Sequence, residues 1–289
     1  MLELPEVETV VRQLDKNLKN QIVSDVDILT PALKLSKLKN LNTDLKGKTL
    51  VQARRRGSNI ILDFSDGFSL LAHMDLNNQV QCVAQTVRIS DKTNVVFKFK
   101  GSTQQLRLRD VQHISFLKLL DTKSIESAEP IKSLGKEPLQ ISVKDFRDTM
   151  NLSPNRQIRG LLMDQSIIVG IGNIYADEVL FRAKIHPSEK VKNIPFARMD
   201  KLHHAIYHIL ELAILHGGTR VEDFENEAAT DNSMQKFLQV YGHEGKTCVR
   251  CKKTPISKIK VSGSVSYICT YCQPARDEKK AVGAGAETA

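Results

Sequence analysis

Residues 169–181 read VGIGNIYADEVLF, and the organisation of the chain follows from them. Gly170 and Gly172 stand between two helical runs, and Asn173 is placed to cap the second. Glycine lets a backbone approach a ligand closely. The free N–H groups at the start of a helix favour an anion, phosphate above all. A G-x-G turn alone is often only a turn, so both readings stand at this point.

Upstream, RQIRGLLMDQSII (156–168) reads as helical. Arg156 and Arg159 meet either backbone phosphate or solvent from it, and Asp164-Gln165 is structural. Downstream, DKLHHAIYHILELAILHGG (200–218) has helical spacing and a fitting stop at Gly217-Gly218. His204 and His208 have metal-capable i,i+4 spacing, but no Glu or Cys completes a set, so with His203 they are expected to be surface histidines. ENEAATDNSMQ (225–235) reads as an exposed loop, and LGKEPLQI (134–141) as a connector after Pro130.

The first half has a different rhythm. Val7, Val10, Val11, Leu14 and Leu18 repeat at helical spacing over 5–19, with Pro5 at the first helical position and Glu6 and Glu8 at the positive end. The runs IILDF (60–64), FSLLAHM (68–74), NVVFKFK (94–100) and LRLRD (106–110) are short, alternating and bounded by turn residues. They predict an antiparallel sandwich or barrel.

Four of the five cysteines are clustered. Cys248-Val-Arg-Cys251 and Cys269-Thr-Tyr-Cys272 are two C-x-x-C knuckles flanking residues 252–268. Two knuckles supply four thiolates to one tetrahedral zinc and leave no open position, so the ion is structural. So short a segment folds largely on its metal. Lys252, Lys253, Lys258 and Lys260, among Ile256, Ile259 and Val261, predict a hairpin with a basic face, open to a partner or merely solvated. The fifth, Cys82, reads as an inert buried thiol. This cysteine usage suits a reducing intracellular compartment, cytoplasm or nucleoid, with nucleus or organelle left open.

The 289 residues are 41% hydrophobic and 26% charged, ordinary for a soluble protein. The net charge is +9, from 42 basic and 33 acidic residues, which favours a polyanionic partner as readily as it describes a basic enzyme. No apolar run reaches the roughly 18 residues of a membrane span. The N-terminus has no signal-peptide pattern. The tail after Cys272 has the composition of a disordered end.

GIGNIYADEVLF followed by KIHP, with LQVYG (238–242), the four-cysteine finger, the opening LPEVETV and the connector LGKEPL, resembles the formamidopyrimidine-DNA glycosylase / endonuclease VIII family over residues 1–273. The resemblance implies an α+β multidomain chain. A β-sandwich with a leading helix spans 1–132, a helix–two-turn–helix domain 133–240 and a zinc finger 241–273, with a tail at 274–289. It also implies one zinc ion, a monomer, and duplex DNA gripped between the halves. Members of the family excise damaged bases through the α-amine of an N-terminal proline exposed when Met1 is removed. An adjacent glutamate moves protons.

Glu3 stands at that glutamate and Glu6 at a second acid of the motif, but position 2 is Leu2, and a large second residue favours retention of Met1. Ser58 holds the place of a family lysine in RRRGSNII (54–61), where Arg54, Arg55 and Arg56 keep the local charge. After His73, Leu76 replaces a void-filling methionine. His113 and Ile114 stand for an intercalating arginine and phenylalanine, and Ser264 for a phosphate-gripping arginine of the finger. Gly172 and Asn173 survive from the phosphate-binding group, and Tyr241-Gly242 is expected to pack the finger. The expectation is a duplex-DNA-binding member with glycosylase chemistry lost or attenuated. An active N-glycosylase and abasic-site lyase using the N-terminal amine and Glu3 is the alternative. An RNA-associated adaptor is a third reading.

Overall fold

A computed structural model describes residues 2–30, 38–73, 79–109, 117–219 and 234–275. It divides into two compact units, Met1–Ser133 and Leu134–Ala289. Among the described residues no helix is long and apolar enough to cross a membrane.

The first unit opens with α1 (Leu4–Leu18). The helix begins one residue before the expected start, so Pro5 is its second residue and Glu3 its N-cap. Leu4, Val7, Val11, Leu14 and Leu18 are buried on one face, as their spacing requires. The strands are β1 (Val23–Ile28), β2 (Leu50–Arg56), β3 (Asn59–Phe64), β4 (Phe68–His73), β5 (Gln79–Ala84), β6 (Thr93–Phe99), β7 (Gln104–Arg109) and β8 (Leu117–Asp121), with a short α2 (Leu41–Leu45) after β1. They form two antiparallel four-stranded sheets, ordered β1-β6-β7-β5 and β2-β3-β4-β8.

Alternation carries Val80, Val95, Phe97, Leu106 and Leu108 from one sheet into the core, and Ile60, Leu62, Phe64 and Leu70 from the other. The Phe64 and Phe97 rings stack between the sheets, 6.3 Å apart. The apolar face of α1 joins the same core. The fold is the expected β-sandwich with a leading helix.

The second unit holds α3 (Val143–Asn151), α4 (Ile158–Leu162), α5 (Asn173–Ala183) and α6 (Phe196–Leu215). The glycine turn separates a five-residue α4 from α5. Gly172 is the N-cap of α5 and Asn173 its first residue, which corrects the expectation that Asn173 would cap it. Helix α6 stops where Gly217 and Gly218 both take positive φ, and Gly218 N–H donates to the Ala213 carbonyl at 2.7 Å.

His203 is buried, not on the surface: its Nε2 donates to the Ile141 carbonyl at 2.8 Å and its ring meets Phe146 edge-on. His204 and His208 are exposed as expected. A final hairpin, β9 (Ser257–Val261) and β10 (Ser264–Ile268), turns through Ser262 and Gly263, both at positive φ, as a two-residue hairpin requires.

The connector is held by close backbone approach. Gly135 and Lys136 donate to the carbonyls of Gln165 and Ile167 at 2.8 and 2.9 Å, and Val169 N–H returns a bond to Lys136 at 3.0 Å. A Cβ on Gly135 would stand 2.3 Å from the Ile167 carbonyl carbon, against backbone that cannot swing away. Gly135→Ala is therefore expected to destabilise the second unit by about 3 kcal/mol, read as a lower urea midpoint. An unchanged midpoint would refute this packing.

Candidate functional site

The residues singled out near the chain end assemble at the start of α1. Glu3 and Glu6 are both buried and cap the helix reciprocally. Glu3 accepts from the Glu6 N–H, and Glu6 Oε2 accepts from the Glu3 N–H at 3.1 Å. Ser58, also buried, comes from the turn between β2 and β3, and its hydroxyl donates to the Leu2 carbonyl at 2.9 Å. Leu2 packs its side chain against the sandwich core. Positions 2, 3 and 58 therefore meet, but the side chain at 58 brings a neutral hydroxyl that pins the backbone. Met1 lies outside the described residues.

The neighbouring arginines serve the unit itself. Arg55 Nε pairs with Glu8 Oε2 at 2.9 Å, with the arginine side chain only 7% exposed. Burial opposes the charge of Glu8, but the bonds from Arg55 and Arg12 prevail and lower its carboxyl below the ordinary value. Arg54 pairs with the buried Asp63 at 2.7 Å. Arg56 ends β2, and its carbonyl accepts from Asn59 Nδ2 at 3.1 Å. That bond turns Asn59 Oδ1 toward His73 Nδ1, 3.0 Å away, so His73 carries its proton on Nδ1. Leu76, His113 and Ile114 lie outside the described residues.

A second group gathers at the head of α5. Arg159 was expected to meet phosphate or solvent from a helix face; it is fully buried. Its Nε donates to Asp177 Oδ1 at 2.8 Å, and its Nη2 to Asn173 Oδ1 and to the Val265 carbonyl, each at 2.8 Å. Its Nη1 donates to Ser264 Oγ. Asp177 also accepts from Ser266 Oγ at 2.7 Å and Tyr267 N–H at 2.8 Å. Burial raises its carboxyl above the ordinary value, against the pull of Arg159, Ser266 and the Tyr267 N–H. The network joins α4, α5 and the hairpin. Arg156, by contrast, is on the surface and pairs with Asp164 at 2.9 Å.

Gln165 shapes the glycine turn, accepting from Gly170 N–H at 2.7 Å and donating to the Ile171 carbonyl at 2.9 Å. Gly172 and Asn173 thus present a helix start whose first turn has no acidic side chain. Asn173 is exposed.

The four thiols form the third group. The sulfurs of Cys248, Cys251, Cys269 and Cys272 all lie within 4.8 Å of one another. Cys251 and Cys269 are 3.7 Å apart, and Cys248 and Cys272 4.0 Å. Four sulfurs about 2.3 Å from one tetrahedral ion would be separated by about 3.8 Å, so the set fits a thiolate-bound metal. The Lys253 N–H draws Cys251 down to about 6, while burial and the neighbouring sulfurs push Cys272 up to about 12. Four thiolates cannot share this space without a cation.

The module packs on the end of α5. Arg250 lies over the Phe181 ring, 3.8 Å from its centre, and the Tyr241 and Tyr267 rings are 4.9 Å apart. Of the expected basic face, Lys258 pairs with Glu244 at 2.5 Å, and Lys253 lies over Tyr271. Cys82, expected to be buried, is half-buried, and burial raises its thiol.

Two structural residues have no signal in the sequence. Asp177 is one. The other is Glu178, fully enclosed, whose carboxylate accepts from the N–H groups of Gln239, Val240 and Tyr241 at 2.9–3.0 Å. Burial pushes its carboxyl up to about 7 against those bonds.

These features define a class: a helix-led sandwich, then a helical unit with a glycine turn heading one helix and a four-thiol hairpin docked on it. Residues 1–117 match the model of the formamidopyrimidine-DNA glycosylase N-terminal domain, and residues 134–225 that of the formamidopyrimidine-DNA glycosylase H2TH domain. The chain belongs to the formamidopyrimidine-DNA glycosylase family. It is 34% identical to the formamidopyrimidine-DNA glycosylase of Desulforamulus reducens over 279 residues, 96% of this chain and all of the relative. It is equally similar to that of Latilactobacillus sakei, 34% over 281 residues with the same coverage. Among solved structures it is similar to wild-type Lactococcus lactis Fpg in complex with DNA containing N7-benzyl-Fapy-dG. The identity is 33% and the TM-score 0.81, covering 94% of this chain and 100% of that one.

Proposed function

We propose that the protein is a duplex-DNA-binding member of its family in which base-excision chemistry is lost or attenuated. The reading is carried by the chain end. Leu2 stands where the reaction needs the amine of a proline, and its carbonyl is tied by Ser58 at 2.9 Å where the family has a lysine. Glu3 retains the place of the proton-handling acid but lies in a helix cap. What remains for gripping is the Gly172–Asn173 helix start for a phosphate, with Ser264 beside it in place of the family's arginine, and a four-thiolate finger holding one Zn2+. The relatives' solved complexes with DNA and the charge of +9 support duplex DNA as the partner. Four reduced thiolates suit a reducing intracellular compartment, and the protein acts as a monomer.

Duplex affinity should fall with salt by on the order of a thousandfold between about 50 and 200 mM. Borohydride should trap no adduct on an abasic duplex. An affinity indifferent to salt, or outcompeted by structured RNA, would sink the duplex reading. A trapped adduct on a chain shown by mass spectrometry to lack Met1 would establish the active enzyme instead. Glu3 at its family position and the full-length match to glycosylases favour that second reading.

A further inference from the structure

The geometry points to Arg159 as a positioning residue for the phosphate grip, setting Asn173 and Ser264 from beneath in place of the cation that position 264 no longer carries. This rests on the duplex-binding reading above. A guanidinium has five N–H donors and no acceptor. Facing Asn173 at 2.8 Å, it can meet only Oδ1, so the NH2 of the exposed Asn173 must point away from it. Facing Ser264 Oγ, it takes an oxygen lone pair and leaves the hydroxyl proton to be donated elsewhere. The other bond recorded for that hydroxyl, to the Val261 carbonyl, is long at 3.5 Å.

Both side chains are thus turned into donors at a helix start with no acidic residue in its first turn. The space before Ser264 is open. A groove of about 410 Å3 there is lined by Arg156, Gln157, Ser262 and Ser264, and also by Asp164, whose carboxylate Arg156 pairs at 2.9 Å. Asp177 holds Arg159 in this pose, itself fixed by Ser266 and the Tyr267 N–H. The competing account is a clamp that only fastens the hairpin to α4 and α5.

Duplex binding by the full-length, zinc-loaded protein, titrated over NaCl concentration, separates the two. Arg159→Lys keeps a cation opposite Asp177 but cannot make the four bonds. It should bind about tenfold more weakly at every salt concentration, with the slope of log affinity against log salt unchanged, because Asn173 and Ser264 are neutral donors and the charge at 159 is kept. Bound zinc should remain as in the wild type, while melting should fall, because a lysine leaves buried acceptors of the network without donors. Asn173→Ala should behave alike, and the double variant should be no more than about twofold weaker than either single, because the two act through one contact.

An unchanged affinity in Arg159→Lys, or effects that multiply, would overturn the proposal in favour of the clamp. Ser264→Ala leaves the Arg159–Asp177 pair intact and carries the same expected loss of affinity; an unchanged affinity there also overturns the proposal. A wild type without salt-dependent duplex binding would instead remove the reading beneath it, an outcome visible before any variant is made.

Discussion

Chelation of the zinc proposed for the four thiols is expected to unfold the C-terminal module while the sandwich unit keeps its own fold. The apolar core available there is small: Val240 and Ile256, the thiols of Cys248 and Cys269, and Phe181 of α5. A structural zinc in such a setting contributes roughly 10–16 kcal/mol of apparent binding energy, which is folding energy. No apolar cluster of this size replaces it, and without the ion the crowded thiols must take up protons. All five tyrosines, Tyr175, Tyr207, Tyr241, Tyr267 and Tyr271, lie in the second unit, and the chain has no tryptophan. Near-ultraviolet circular dichroism in the tyrosine band therefore reports on that unit. The share of the signal from Tyr241, Tyr267 and Tyr271 should be lost on chelation, while Tyr175 in α5 and Tyr207 in α6 keep theirs, and new protease cuts should appear between Lys246 and Lys260. Cys272→Ser should act in the same direction, and duplex binding should fall with either change. A tyrosine signal left unchanged by complete metal removal would show that the hairpin stands on its packing alone.

The second large expectation concerns the chain end. Leu2→Pro combined with Ser58→Lys, in protein lacking Met1, should give a borohydride-trapped adduct on an abasic duplex. On the reading proposed above, in which Met1 is retained, the wild-type amine lies one residue too far out, and since a misplacement of about 1 Å already costs about a hundredfold, the gain should be at least that. The Ser58–Leu2 bond shows that a side chain at 58 reaches the backbone of residue 2. A lysine ammonium there would lower the pKa of the neighbouring amine and raise its neutral, nucleophilic fraction near pH 7. Glu3 already stands beside it. The change is not free of structural cost, since Leu2 packs against the sandwich core and Ser58 loses its bond. The readout is therefore the adduct yield of correctly folded protein. A folded, mature double variant that still traps nothing would place the defect elsewhere, beyond these two positions.

What could be read from residues alone was whatever has a short-range rule. The period-two runs became β3, β4, β6 and β7 within a residue or two, and the C-x-x-C pairs brought four sulfurs together. The paired glycines after Leu215 ended α6. What escaped was set by partners distant in sequence. Arg159 and Asp177 are unremarkable charges until folding encloses both and joins them to residues 264–267. His203 could be told from His204 only by which side of α6 meets Phe146. Glu178 has no local signal, because its donors are backbone groups some sixty positions away. The residues at positions 2, 58 and 264 were legible, but the hydrogen bonds that join them to their partners were not.

Helix α5 also fixes a phase. Asn173, Asp177, Glu178 and Phe181 successively meet Arg159, the hairpin, the segment 239–241 and Arg250 of the first cysteine knuckle. All four sit within eleven residues of one rigid rod, so their relative bearings are set by the helical repeat of about 100° per residue. Removing or inserting one residue midway would swing the head of the rod by that angle against its foot, and no adjustment of side chains could restore both ends together. Length changes in this lineage should therefore be absent from 173–183, and should collect in the polar stretch before Met234.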